Sequence, residues 1–104
     1  MLGIKSKKNP KNPEVEMQKD DKGKPLMKVI VYSPFKSYFN ELAYSISAEN
    51  YTGPFDILPR HHNFMTLVSA CEMKIIAPTG DKIIRINRAV MHVKADQVIV
   101  FLDV

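Results

Sequence analysis

Apolar and polar residues alternate along the chain from Leu26 onward. In the segment 27–32 the odd positions are Met or Val, and the even positions are Lys, Ile and Tyr. Alternation with a period of two is typical of a β-strand that buries one face. Ser33-Pro34 follows, and proline lacks the amide donor that a strand ladder needs. The pattern therefore predicts a first strand over residues 27–32.

The segments that follow are also short and extended in character. Residues 42–48 alternate larger apolar side chains with Ala and Ser, which predicts a strand with one apolar face. A helix through Phe39, Leu42, Ala43 and Ile46 also fits the spacing, so this segment is left with two interpretations. Further short strands are predicted at 55–58 and 64–68.

Two hairpins complete the pattern. The first joins 72–77 to 82–86 through Pro78-Thr79-Gly80-Asp81, where a glycine suits the positive φ of a tight turn. The second joins two segments of mainly apolar residues, 89–93 and 98–102. About eight to ten short strands separated by regular turns predict an all-β fold, either an antiparallel β-sandwich or a flattened barrel.

Residues 1–25 differ from the rest of the chain in composition. They are mainly Lys, Asn, Asp, Glu and Pro, with isolated apolar residues and no periodicity. Such a segment buries too little apolar surface to offset the entropy lost on ordering. We therefore expect a disordered, lysine-rich arm at 1–25 and a β-domain at 26–104. The arm is either a solvated tail or a segment that orders on a partner.

The positive charge of the chain is concentrated in this arm. The net charge is +4, and residues 1–28 hold eight lysines against four acids, whereas residues 29–104 hold seven bases and seven acids. The β-domain therefore lacks the excess positive charge of a phosphate-binding surface. An alternative function is a small β-barrel that stacks single-stranded nucleic acid on its aromatic rings. The absence of Lys and Arg between Tyr38 and Phe55 favours core packing and a protein-facing apolar patch instead.

The residues that could carry chemistry are few and poorly spaced for it. His61 and His62 are adjacent, so on an extended segment they point to opposite faces and do not readily share a metal. His92 has no ligand-type spacing to them, and Cys71 is the single cysteine. The four glycines form no phosphate-binding loop. We expect no catalytic, cofactor or metal site, and hence a protein that is not an enzyme.

Membrane insertion is not expected either. No run approaches the roughly 20 apolar residues of a membrane-spanning helix, and the N-terminus lacks the apolar region of a secretory signal. We therefore expect the protein to lie in the cytosol or to face it, and to reach a membrane only through a partner.

The segment from Gly53 to Leu67, GPFDILPRHHNFMTL, resembles the GxxGILPxHxxxLTxL signature in the N-terminal domain of the F-type ATP synthase epsilon subunit. The resemblance extends to both sides, because Lys28–Pro34 is similar to the opening strand of that family and Val98–Asp103 to its closing strand. In all it covers about residues 27–104.

This resemblance implies a ten-stranded β-sandwich in the central stalk of the rotor. Such a domain is non-catalytic and holds no cofactor; it binds the gamma subunit, is seated on the membrane c-ring, and is present in one copy per complex. Its expected location is peripheral, on the cytoplasmic face of the energy-transducing inner membrane. It would connect proton-driven rotation of the ring to the catalytic head.

The resemblance also implies which residues face each partner. Those that match gamma-facing positions are Ser33, His61 and Thr66. The loop that matches the ring-facing loop runs from Tyr51 to Asp56, and its site residues are Tyr51, Gly53, Pro54, Phe55 and Asp56.

Three departures from the family pattern affect these expectations. Asp56 stands where the signature has its second glycine, and Arg88-Ala89 stand where the family has Gly-Gly before the last hairpin. Many family members continue past the final strand into a helical hairpin that binds ATP or blocks rotation in some of them. Because the chain stops at Val104, we expect it to lack that hairpin and the inhibitory function.

Overall fold

The computed structural model describes residues 18–103, which form ten β-strands and no helix. The strands are β1 (Gln18–Lys19), β2 (Pro25–Tyr32), β3 (Ser37–Ala43), β4 (Ser45–Asn50), β5 (Gly53–Ile57), β6 (Phe64–Val68), β7 (Cys71–Ile76), β8 (Lys82–Ile86), β9 (Ala89–Lys94) and β10 (Gln97–Leu102). The prediction of an all-β fold is confirmed. The helix that also fitted the spacing from Phe39 to Ile46 does not form.

β2 lies inside the larger of two sheets, which has six strands. It pairs in antiparallel fashion with β1 and with β3, and in parallel with β10. β9 then pairs with β10, and β6 with β9, both antiparallel. β2 and β10, the first and last strands of the β-domain expected at 26–104, therefore lie side by side, and their ladder is the parallel exception in an otherwise antiparallel sheet.

The smaller sheet has four antiparallel strands in the order β5, β4, β7 and β8. The β7–β8 hairpin is the first hairpin predicted from the sequence. The second, β9–β10, belongs to the larger sheet and is tight: Lys94 pairs with Gln97, so two residues form the turn. The first of them, Ala95, has a positive φ of 55°.

The core lies between the two sheets and is built from alternate positions of their strands. Val29 and Val31 of β2, like Ile46 and Ile75 of the smaller sheet, are completely buried. This confirms the period-two pattern of the first strand, and the burial of such side chains is the main favourable term in folding. Among the described residues, Ser33 is the one polar residue that is buried.

The predicted strand over 42–48 is wrong in one respect, because the chain changes sheets at Tyr44. β3 ends one residue before it and β4 begins one residue after it. Ala43 and Ile46 both face the core, although same-face positions of one continuous strand lie two apart. The Tyr44 amide donates to the carbonyl oxygen of Ile76 at 2.7 Å, which attaches the corner to the smaller sheet.

The turn between β7 and β8 depends on glycine. Gly80 has φ of +124°, and its amide donates to the carbonyl oxygen of Ala77 at 3.0 Å. We expect Gly80→Ala to lower the free energy of unfolding by about 1–3 kcal/mol, because an L side chain is strained at this φ. Urea denaturation measures the change. Asp81→Ala in the same turn is the control, and a Gly80→Ala variant as stable as that control would contradict the prediction.

Residues 18–25 form a hairpin with the start of β2. Gln18 pairs with Leu26 and Lys19 with Pro25. Of the arm expected at 1–25, residues 1–17 lie outside the described residues. In the remainder, Gln18, Lys19 and Pro25 pair within the sheet, and residues 20–24 form the turn between them. The division of the chain at residue 25 remains a prediction.

Candidate docking surfaces

The larger sheet carries apolar side chains on the side that faces away from the core. One row of cross-strand neighbours consists of Leu67, Val90, Phe101 and Tyr32, with exposed fractions of 66%, 39%, 38% and 38%. The next row consists of Met65, His92, Ile99 and Ile30. These two rows are called the outer face.

The outer face has the properties of a protein-docking surface. A contiguous exposed apolar patch on a soluble domain marks an interaction site more often than chance. The rings of Tyr32 and Phe101 lie 5.1 Å apart between centroids, at an interplanar angle of 60°. Aromatic side chains fixed on a sheet present a large contact area and lose little conformational entropy on binding. This arrangement can bind another protein by burial of its apolar surface.

Ser33, expected to face gamma, is 5% exposed and lies in the turn after β2. Its hydroxyl oxygen accepts hydrogen bonds from the amides of Phe35 and Lys36, at 3.1 and 3.3 Å. The Ser33 side chain therefore shapes this turn from inside. Phe35 follows it and is 82% exposed. Sequence reasoning did not select Phe35, although the Ser-Pro turn signal marks the place.

His61, also expected to face gamma, is part of an aromatic series. Its ring packs edge-on against Phe64 at 5.5 Å, and Phe64 packs in the same way against Phe55 at 5.9 Å. Phe64 therefore connects His61 to Phe55, which was expected to face the ring. The preceding residue, Arg60, has φ of 69°, and its amide donates to the Asp96 carboxylate at 2.6 Å. That bond attaches the His61 loop to the β9–β10 turn.

Thr66, the third of these residues, braces the hairpin that joins β4 to β5. Its hydroxyl oxygen accepts a hydrogen bond from the Asn50 side-chain amide at 3.2 Å. The side-chain oxygen Oδ1 of Asn50 in turn accepts from the Thr52 amide and hydroxyl, at 2.9 and 2.6 Å. Tyr51 stands at the tip and is 91% exposed. The exposed tip is therefore held to the edge of the larger sheet.

The remaining ring-side candidates lie along β5. Gly53 has φ of +119° and closes the hairpin tip. Pro54 and Asp56 are exposed, whereas Phe55 is partly buried against the core. Asp56 accepts a hydrogen bond from the Ser47 hydroxyl across the strand pair at 2.6 Å. Because Asp56 lies in an extended strand, the loss of the signature glycine there is accommodated without a positive φ.

The three residues expected to face gamma do not form one cluster. Ser33 comes directly after the end of β2. In the register of the sheet, that end is level with Val68, the last residue of β6. His61 precedes the opposite end of β6, and Thr66 lies between the two. Any partner that touches all three must therefore extend along the sheet. The outer face runs between the same two ends.

A further group of side chains holds the N-terminal hairpin in place. One carboxylate oxygen of Asp20 accepts from the amides of Lys22 and Lys24, at 2.9 and 2.7 Å. The other accepts from the Tyr44 hydroxyl at 2.5 Å. The Lys24 ammonium lies 4.6 Å from the centroid of the Tyr44 ring. Asp20, Lys24 and Tyr44 are called the clasp.

The hydrogen bonds of the clasp predict the pH range over which the hairpin stays closed. The hydrogen bond from the Tyr44 hydroxyl, and to a smaller extent that from the Lys24 amide, lowers the pKa of the Asp20 carboxyl below its usual 3.8. The same bond to Asp20, followed by desolvation, raises the pKa of Tyr44 above its usual 10.0, and the charge of nearby Asp21 adds to the rise.

The contribution of Asp20 is fully present above its usual pKa and is lost as pH falls through the lowered value. That of Tyr44 is present below its usual pKa and is lost as pH rises through the raised value. We therefore expect the hairpin to stay closed from about pH 4 to about pH 10. NMR titration of the residue 18–26 amides checks this, and opening near neutral pH would contradict it.

Two further classes of site are absent from the part of the chain that the structure describes. Over residues 18–103, no group of three or more His, Cys, Asp or Glu side chains is placed to hold a metal ion. No helix within the same range is long and apolar enough to cross a membrane. Cys71 is free and packs, partly buried, against the core.

The sequence matches one known family. The family described as ATP synthase, Delta/Epsilon chain, beta-sandwich domain matches residues 26–104. This confirms the resemblance drawn from the Gly53–Leu67 signature and its flanking strands. No curated protein sequence matches the chain.

The fold is similar to chains in two solved mitochondrial ATP synthases. For the Tetrahymena thermophila central stalk and c-ring structure the TM-score is 0.62 and the identity 18%, over 82% of this chain and 66% of that one. For the Euglena gracilis OSCP/F1/c-ring structure the TM-score is 0.69 and the identity 14%, over 84% and 57%. The chain therefore spans less than two thirds of either neighbour, and the likeness concerns the fold.

Proposed function

The chain belongs to the ATP synthase delta/epsilon chain family through its β-sandwich domain; from that premise, we propose that it is a non-catalytic subunit of the central stalk. In this role it binds the gamma subunit and the c-ring, and it connects rotation of the ring to the catalytic head. The observation that carries the proposal is the family match over 26–104, in a sandwich with an exposed apolar outer face.

The mechanism is mechanical. A subunit that transmits torque must resist deformation and must hold its partners without slipping. The two sheets enclose one apolar core, and close-packed interiors have low compressibility. Connections between the sheets add stiffness, among them the Asn50–Thr66 bond and the backbone bond from the Ser69 amide to the Glu49 carbonyl at 2.8 Å. Torque then passes through interfaces, and no group on the chain needs to react.

The outer face is proposed as the gamma side. Its row from Leu67 to Tyr32 crosses four strands, and such a surface buries apolar area when another protein covers it. Ser33, through the turn that carries Phe35, and His61 are proposed to contribute to this side at the two ends of the sheet. The Thr66 side chain points to the opposite side of β6 from Met65 and Leu67 and contacts Asn50, so its proposed contribution is at the edge of the sheet.

The β4–β5 hairpin is proposed as the c-ring side. Tyr51 projects from its tip, and Pro54 and Asp56 are exposed along β5. A tip braced by Asn50 offers a fixed polar and aromatic contact to the loops of a ring. A peripheral position on the cytoplasmic face of the energy-transducing membrane belongs to the same proposal.

Binding to purified partners tests this function. The full chain is titrated against the gamma subunit of the same organism, against its detergent-solubilised c-ring, and against the complex of the two. We expect a dissociation constant of about 1 μM or tighter for gamma and tighter binding to the complex than to either part. Absence of binding to gamma, alone and in the complex, would contradict the proposal.

A further inference from the structure

The hairpin at residues 18–25 lies outside the region that matches the family, which begins at residue 26. It nevertheless covers part of the sandwich. Leu26 alternates with Met27 along β2, so its side chain lies on the same side as Ile30 and Tyr32 of the outer face. Unlike them it is 3% exposed, and it is not part of the core between the sheets. Leu26 is therefore buried by neighbouring residues outside the core between the sheets.

Leu26 is covered by the hairpin and the corner at Tyr44. Leu26, Tyr44 and Pro78, together with Asp20, Asp21 and Lys22, line an open hollow of about 440 Å³. Tyr44 follows Ala43, which pairs with Met27, so the tyrosine lies beside Leu26 at the end of the outer face. The hairpin and the hollow thus lie at the end of the outer face, separated from its two apolar rows by Lys28 and its partner Gln97.

The clasp fixes the hairpin in this position. The Asp20 carboxylate accepts three hydrogen bonds, one of them from a residue 24 positions away in the sequence. The ladder between β1 and β2 has two residue pairs, which are too few to hold a hairpin closed by themselves. The link from Asp20 to Tyr44 ties the turn to the corner between the two sheets, so the hairpin is preorganised as part of the surface.

We propose that the hairpin at residues 18–25 extends the outer face into a larger docking surface for the gamma subunit, held in position by the Asp20–Tyr44 clasp. The inference rests on the proposed function. Its occupant is the protein that covers the outer face, because Leu26 and the outer-face residues Ile30 and Tyr32 lie on the same side of β2, with Lys28 between Leu26 and Ile30. Preorganisation of the hairpin lowers the conformational cost of the contact.

Amide hydrogen exchange of the full chain, free and bound to gamma, tests the contact directly. We expect gamma to slow exchange at the amides of residues 20–24 at least about fivefold, alongside slowing at the outer-face strands. Slowing at the outer face without slowing at the hairpin would overturn the inference and leave the proposed function intact. Failure of the wild-type chain to bind gamma would overturn both.

A pair of tyrosine variants tests the clasp. Tyr44→Phe removes the bond to Asp20, and Tyr38→Phe is the matched control because Tyr38 also lies beneath a lysine ammonium, that of Lys36 at 4.7 Å. We expect Tyr44→Phe to speed exchange across residues 19–26 and to weaken gamma binding about three- to tenfold. Tyr38→Phe should change neither. A Tyr44→Phe chain with wild-type affinity for gamma would overturn the role of the clasp.

Discussion

Phe101→Asp is expected to weaken binding to gamma strongly while the sandwich stays folded. Phe101 lies in the row from Leu67 to Tyr32, and its ring contacts that of Tyr32. A carboxylate at this position would be buried without a partner when gamma covers the outer face. Loss of a central aromatic anchor typically costs 2–4 kcal/mol, so affinity should fall by about 30- to 1,000-fold.

The sandwich tolerates this change because Phe101 points away from the core. Its neighbours in β10, Val100 and Leu102, are the buried ones. Circular dichroism and thermal unfolding verify the fold of the variant, and isothermal titration with gamma measures its affinity. Ile83→Asp is the control, since Ile83 is 60% exposed on the smaller sheet. Phe101→Asp with affinity within about threefold of wild type would place gamma elsewhere on the molecule.

Ile75→Ala is expected to have the largest effect on stability. Ile75 is completely buried in β7, in the core between the two sheets. Truncation of a buried isoleucine removes its transfer free energy and leaves a cavity, which together cost about 2–5 kcal/mol. A domain of this size has a total stability of about 5–15 kcal/mol. The variant should therefore unfold at a markedly lower urea concentration.

Ile83→Ala is a closely matched control for this measurement. Ile75 and Ile83 lie in the two strands of one hairpin, and Ile83 pairs with Lys74, the residue before Ile75. Both variants make the same chemical change in a β-strand, so the loss of strand propensity is similar. The difference between their free energies of unfolding then reports burial. Equal losses in the two variants would contradict the placement of Ile75 in the core.

The alternation of the sequence predicted most strands but not the corner at Tyr44. In the segment 42–48, Leu, Tyr, Ile and Ala follow one another at every second position, as in one uninterrupted strand. Small residues such as Ala43 fit either a buried or an exposed position, so the pattern carried no sign of the change of face. The break depends on the Tyr44–Ile76 bond to a strand about thirty residues later, which local periodicity does not encode.

The candidate surfaces were predictable in part. The Gly53–Leu67 signature located the hairpin with Tyr51 at its tip. It did not reveal the outer face, because strands such as β10 are apolar on both sides and show no contrast between a core face and a free face. Recognising the free face requires the strand order, which places Phe101 between Val90 and Tyr32. Ser33 was selected for contact, but its hydroxyl is used within its own turn.

The parallel pairing of β2 with β10 has a consequence for a subunit under load. The start of β2 and the end of β10 lie at opposite ends of the same ladder, which runs from Lys28–Gln97 to Tyr32–Phe101. A force that pulls these two ends apart acts along the strands, in shear. The hydrogen bonds of the ladder then share the load and must break together, whereas bonds peeled from one end break singly. β2 and β10 are thus joined as a mechanical clamp.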